Sequence, residues 1–211
     1  KTAYEIPKRD WSSDVCSSDL GVLALQGDVR EHRARLEGLG VNVVDVRTPR
    51  DLETVAALVL PGGESTAILH LLTTSGLRGP LQERLDDGMP AFGTCAGMIV
   101  LARTVRDGRS DQWSFGALDI AVRRNGYGRQ IASFESPVTL TAGGQIPGVF
   151  IRAPRIEEWG SAVEVVGSYD HGDGETPVWV REGNVWACSF HPELTENTTV
   201  HQTFLLHHGL V

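Results

Sequence analysis

The sequence is short of three things, and each shortage excludes a class of protein. Cysteine occurs three times in 211 residues, at the scattered positions Cys16, Cys95 and Cys188. An odd count without paired spacing gives no disulfide framework and fits a reducing compartment, so a cytoplasmic setting is expected. Positive charge is also scarce: 19 Lys and Arg stand against 27 Asp and Glu, a formal net charge of -8. A nucleic-acid partner ordinarily needs a basic face, so none is expected. Apolar runs are short, as at Met98 to Ala102, far below the roughly 18 residues needed to cross a bilayer, and no membrane partner is expected. His, Cys and Asp show no zinc-like spacing, so neither a metal nor another cofactor is expected.

What is present suffices for a core. With 41% hydrophobic and 22% charged residues the composition is globular. A chain of this length buries about 70% of its unfolded surface and needs no covalent staple. Residues 1–20 read differently from the rest. Ser12-Ser13-Asp14 recurs as Ser17-Ser18-Asp19 without helical or strand period, and the segment lacks the apolar centre of an export signal. It reads either as a native disordered extension or as a cloning or assembly artefact. The second is the expectation, with one domain over 21–211.

From Gly21 the pattern alternates. Strands are expected at Gly21–Gln26, Val41–Val46, Ala57–Leu60 and Pro90–Phe92. Helices are expected at Val29–Leu39, Ser65–Leu72, Leu77–Leu85 and Ala96–Thr104. Strands alternating with helices predict an α/β fold with an open, mostly parallel, flavodoxin-like sheet flanked by helices. Ala121 to Arg181, rich in Gly, Val and Thr with hairpin-like breaks, predicts a β-rich antiparallel insertion.

Three segments carry chemistry. Gly93-Thr94-Cys95-Ala96-Gly97 sits between a strand and a helix, where small neighbours permit a tight turn with a nucleophile on its tip. Taken alone, Cys95 is either such a nucleophile or an inert buried thiol. His191-Pro192-Glu193 supplies a base and its orienter: proline disfavours the helical region for His191, so the tripeptide is expected to be extended, with Glu193 on the same side as the ring. Cys95, His191 and Glu193 then follow the logic of a nucleophile, base and orienter. Pro61-Gly62-Gly63-Glu64-Ser65 ends the third strand at the sheet edge where ligands collect, the edge expected to hold Cys95 as well. Amides of Gly63 and Ala96 are placed there to stabilise an oxyanion. The other histidines, His32, His70, His171, His201, His207 and His208, read as surface or core-edge residues.

Together these residues resemble the class I, or triad, glutamine amidotransferases, and among them the family of glutaminase subunits of pyridoxal 5'-phosphate synthases. The resemblance runs from Gly21 to about Leu206. It rests on Leu25-Gln26-Gly27 with Arg30-Glu31-His32, Pro61 to Thr66, Phe92 to Gly97, Arg124-Asn125 with Gly128-Arg129-Gln130, Phe150 to Pro154 and Ser189 to Thr195. Most relatives serving purines, pyrimidines, anthranilate or guanylate have glutamine two residues past the second elbow glycine, where this chain has Ile99. Ile99 and the Arg124–Gln130 segment also weigh against a γ-glutamyl hydrolase, and an intact Cys95, His191 and Glu193 against a non-catalytic scaffold.

The resemblance implies hydrolysis of L-glutamine to L-glutamate and ammonia, with substrate held by Gly62, Gly63, Glu64, Arg124, Ile151 and Arg152. It also implies a partner, a (β/α)8-barrel synthase subunit in a multimeric ring complex that consumes the ammonia to build the vitamin B6 cofactor. Gln26 and the early helix with Arg30 and His32 are expected to face that partner.

Overall fold

A computed structural model describes residues 19–108, 112–127, 133–172 and 174–211. Residues 1–18 of the expected leader lie outside them, as do Gly128, Arg129 and Gln130. The first strand, β1, covers Leu20–Leu23 and so begins one residue before Gly21. Leu20 is fully buried, and the Asp19 carbonyl accepts from the Ala56 amide at 2.9 Å.

The elements follow in the order α1 (Val29–Gly38), β2 (Val43–Val46), α2 (Pro49–Glu53), β3 (Ala57–Leu60), α3 (Ser65–Thr74), α4 (Arg78–Asp86), β4 (Ala91–Thr94) and α5 (Ala96–Leu101). Then come β5 (Ala102–Arg106), β6 (Leu118–Arg123), β7 (Ser133–Leu140), β8 (Gln145–Ile151), β9 (Arg155–Trp159), β10 (Glu164–Asp170), β11 (Glu175–Glu182) and β12 (Val185–Cys188). A 3-10 turn at Pro192–Leu194 and α6 (Thr199–His207) end the chain.

The described residues form a nine-stranded sheet in the order β2-β1-β3-β4-β12-β11-β10-β7-β8 and a three-stranded sheet, β5-β6-β9. In the large sheet β2, β1, β3, β4 and β12 run parallel. From β11 outward the pairing is antiparallel, so β7, β8, β10 and β11 of the β-rich segment continue the large sheet, while β9 pairs with β6 in the small one. β12 is the strand at which the sense changes. Side-chain alternation along the strands feeds two apolar layers. Leu58 and Leu60 pack with Ile68 and Leu72 of α3, Leu81 of α4 and Met98 of α5. Val59 and Phe92 pack on the other face with Leu36 of α1 and Phe204 of α6. Among the described residues no helix is long and apolar enough to cross a membrane.

Two local expectations need correction. The helix expected over Ala96–Thr104 stops at Leu101, and Ala102 turns extended at φ -60° and ψ 149°. Ala102 to Arg106 pairs with β6 instead, where the β-branched Thr104 and Val105 suit a pleated ladder. α2 was not foreseen, although Thr48-Pro49-Arg50-Asp51 carries its signal. The Thr48 hydroxyl accepts from the Asp51 amide, the Asp51 carboxylate accepts from the Thr48 amide, and proline occupies the first turn.

Gly97 of α5 lies against β3 so closely that a Cβ would run into the Leu60 carbonyl, whereas nothing lies within 4 Å of one at Gly38 of α1. Gly97→Ala is expected to lower stability by about 1–3 kcal/mol through overpacking, and Gly38→Ala to lower it not at all. Urea denaturation of both variants checks this, and an equal response would refute it.

Candidate active site

The parallel pairing of β4 and β12 sets Thr94 opposite Cys188, so the residues after each strand leave the sheet at one edge. Cys95 continues the ladder, its amide donating to the Cys188 carbonyl at 2.8 Å. Its φ of 47° and ψ of -101° are unusual for a residue with a side chain, the mark of a strained elbow. A Cβ on Gly93 would fall 2.6 Å from the Gly97 carbonyl carbon, so both flanking glycines are steric requirements of the turn. Cys95 is 6% exposed, and its thiol lies 3.7 Å from the Ile151 carbonyl.

His191 reaches the same edge from β12 and is tied to β8, its amide donating to the Val149 carbonyl at 2.8 Å. Ring Nδ1 lies 2.7 Å from Glu193 Oε1 and 3.2 Å from Asp28 Oδ2. With two carboxylates facing it, Nδ1 carries a proton. Nε2 is buried without a hydrogen-bond partner of good geometry. Burial would lower the pKa of the ring, but its interactions with Asp28, Cys95 and Glu193 outweigh that and push it up to about 12. Burial also raises the proton affinity of Glu193, against the pull of His191.

The extended tripeptide expected here is corrected. His191 has φ -107° and ψ 85°, but Pro192–Leu194 closes a 3-10 turn. The fixed φ of proline suits the first position of a helical turn, and that turn, not strand alternation, swings Glu193 back to the ring. Asp28, His191 and Glu193 also place potential ligand atoms within 4.8 Å of one another, a grouping that sequence spacing had not disclosed. A 2.7 Å N–O separation is a hydrogen-bond length, so a cation there would first have to displace the Glu193 contact.

Cys95 and His191 open onto a cavity of about 270 Å³, also lined by Gly63, Glu64, Ala96, Arg124, Ile151 and Arg152. Gly62 lies behind, so close to the His191 ring that a Cβ there would be 3.0 Å from Asp28 Oδ2 and nearer still to the imidazole. The Asp28 amide donates to the Gly62 carbonyl at 3.2 Å, and the Glu64 amide to Gln26 Oε1 at 2.8 Å. Glu64 caps α3, accepting from the Thr66 and Ala67 amides, and pairs with Arg124 at 3.1 Å. Although burial opposes it, these donors hold Glu64 below the usual carboxylate range.

A model of the SNO glutamine amidotransferase family matches residues 22–208. The chain belongs to the SNO glutamine amidotransferase family. Pyridoxal 5'-phosphate synthase subunit PdxT of Salinispora tropica is 52% identical over 188 residues, 88% of this chain and 94% of that protein. The protein of the same name from Thermotoga maritima is 47% identical over 188 residues, 88% of this chain and 97% of that one. A crystal structure of a glutamine amidotransferase superimposes with a TM-score of 0.83 at 45% identity, covering 90% of this chain and 98% of that one.

Within this family member, four residues lie where sequence reasoning had not placed them. His32 and His201 are completely buried, not at the surface or core edge, and His32 therefore presents nothing to a partner. Gln26 turns onto the Gly63 turn and lines the cavity, while Arg30 is exposed. Asp28 is an additional carboxylate on His191; its place directly after Gln26-Gly27 in a quoted motif was the available signal.

Burial, then the charge of Arg35, lowers the pKa of His201 to about 4. A histidine that titrates lower when folded takes up its proton more readily when unfolded, so its contribution is intact above about 6.5 and lost as pH falls toward 4. The chain is expected to lose on the order of 3 kcal/mol through His201 across that window. The gap between urea midpoints at pH 7 and 4.5 should narrow in His201→Gln; unchanged pH dependence in that variant would count against it.

Proposed function

We propose that this chain is a glutaminase hydrolysing L-glutamine to L-glutamate and ammonia through Cys95, His191 and Glu193. One observation carries the reading: an elbow cysteine and a carboxylate-oriented histidine open onto one cavity from adjacent parallel strands. Nε2 of His191 takes the Cys95 thiol proton, the sulfur attacks the side-chain amide carbon, and the carbonyl electrons move to oxygen, where the Gly63 and Ala96 amides stabilise the charge. Collapse of that adduct breaks the C–N bond as His191 protonates the leaving ammonia. Water deprotonated by His191 then hydrolyses the glutamyl thioester, returning the thiol and releasing glutamate. Glu193 holds the imidazole and offsets its charge.

Free glutamine carries an α-carboxylate, for which the guanidinium groups of Arg124 and Arg152 are suitable charge-assisted donors. Gly62, Gly63, Glu64 and Ile151 complete the proposed contacts. The ammonia passes to a pyridoxal 5'-phosphate synthase (β/α)8-barrel subunit in a multimeric ring complex; the names of the relatives support a place in that synthase, and the barrel and ring rest on the family resemblance. A reducing cytoplasm keeps Cys95 a free thiol. Within this proposal the domain runs from residue 21 to 211 behind an extraneous leader, with Leu20 joined to its first strand.

Glutamate release should rise when the synthase subunit is added and disappear in Cys95→Ala. Equal release without the partner would overturn dependence on it, and full activity in Cys95→Ala would overturn the nucleophile. Arg124→Gln should raise KM about 10-fold or more, with kcat changed less, as a charged substrate contact is lost. Steady-state kinetics at saturating partner separates the two, and an unchanged KM would remove Arg124 from the binding site.

A further inference from the structure

We propose that His32, itself set by His201, is a positioning residue that holds Glu193 and the cysteine elbow in one arrangement. The inference rests on the triad reading above. His32 lies in α1, fully buried. Its Nε2 is 3.0 Å from the Thr94 hydroxyl and 3.3 Å from Glu193 Oε2, and its Nδ1 is 3.0 Å from His201 Nε2. One ring therefore touches the residue before Cys95, the orienter of His191 and a second buried histidine.

The tautomers follow from what each neighbour can do. Burial lowers the pKa of both histidines, so each is neutral and has one N–H. An ionised carboxylate only accepts, and Oε2 of Glu193 is buried with no donor in hydrogen-bond geometry among the described residues, His32 Nε2 facing it at 3.3 Å. Nε2 of His32 then carries the N–H, hydrogen-bonded to Thr94 Oγ1 with Glu193 Oε2 3.3 Å away as its electrostatic partner. Nδ1 of His32 becomes an acceptor, and His201 donates to it from Nε2. This leaves the buried Nδ1 of His201 as an unpartnered lone pair. The reverse assignment would bury an orphaned N–H on His201 and aim a lone pair at the carboxylate, which is worse on both counts.

The contacts run in series: His201 donates to His32, the N–H of His32 faces Glu193, and Glu193 accepts from His191. Each frees or fixes the next atom along. Glu193 is 2% exposed, so without an N–H on Oε2 its ionised form loses stabilisation and it protonates at higher pH. A protonated Glu193 no longer matches the Nδ1–H of His191. Groups that face this cluster are His191 and Asp28 at the cavity, Thr94 from β4, His201 from α6, the buried Cys188 thiol of β12, and Arg35, which donates to the Glu193 carbonyl at 3.2 Å. Arg35 braces the backbone of the 3-10 turn; His32 addresses its carboxylate.

Two polar substitutions separate positioning from packing. His32→Gln keeps an amide near the Nε2 position, whereas His32→Asn keeps one near Nδ1 and withdraws it from Glu193. In the full chain with its synthase subunit, His32→Asn should lose about 10-fold in kcat with KM within twofold. The acid limb of its kcat/KM profile should move up by about one pH unit. His32→Gln should restore most of both. Equal losses in the two variants, or an unmoved acid limb in His32→Asn, would reduce His32 to a packing residue. The rate of Cys95 alkylation by iodoacetamide against pH, located by mass spectrometry, reads the same cluster without glutamine turnover. A shifted profile in His32→Asn but not in His32→Gln supports the inference even if wild-type glutaminase activity is absent, an outcome that would overturn the functional reading alone. Identical alkylation profiles in all three proteins would overturn the inference.

Discussion

The parallel pairing of β4 with β12 is the constraint on which the site depends. Thr94 and Cys188 stand opposite each other, and the hydrogen bond from the Cys95 amide to the Cys188 carbonyl extends the register into the elbow. Residues nearly a hundred positions apart thereby leave the sheet side by side. Neither the strained backbone of Cys95 nor the packed glycines around it would persist without strands held on both sides of β4, by β3 and β12. β12 also joins the parallel half of the sheet to the antiparallel half, so β8 can brace His191 through Val149.

On that frame the polar groups are arranged by burial. His191 gains proton affinity because two carboxylates face Nδ1, and Glu193 sits where water cannot satisfy its second oxygen. Low-dielectric surroundings make each hydrogen bond strong and each missing one costly. The histidines beneath Glu193 belong to this logic: neutral, buried and directional, they supply a donor without adding charge. The cavity side is different, since Glu64 and Arg124 are partly exposed and neutralise each other across the mouth.

The glycine turn at Gly62-Gly63 connects the two regions. Gly27 and Gly62 approach too closely for any side chain, and the Gln26 carboxamide occupies the space beside Gly63. The loop after β1 therefore grips the proposed oxyanion turn from behind. A close approach of two backbones explains these glycines better than loop flexibility does.

Much of this was legible in the residues. Apolar runs interrupted by helical periodicity gave the α/β class, and Ala57–Leu60 was bounded correctly because Pro61-Gly62-Gly63 stops the strand so sharply. The flanking glycines marked the elbow, and the short spacing of His191 and Glu193 marked their contact, the proposed base with its orienter. Local pattern failed where long-range contacts decided the outcome. Ala102–Arg106 left its helix because β6 offered a ladder, and His32, placed on a helix by its spacing, proved to be its most buried polar residue because Glu193, Thr94 and His201 converge on it. Sequence alone determined which chemical groups the chain carries and which elements they sit on, because periodicity and turn chemistry are local. Which of those groups face one another, and whether a histidine ends in water or behind the Glu193 carboxylate, was decided by tertiary structure, because strand order and burial are properties of the whole sheet.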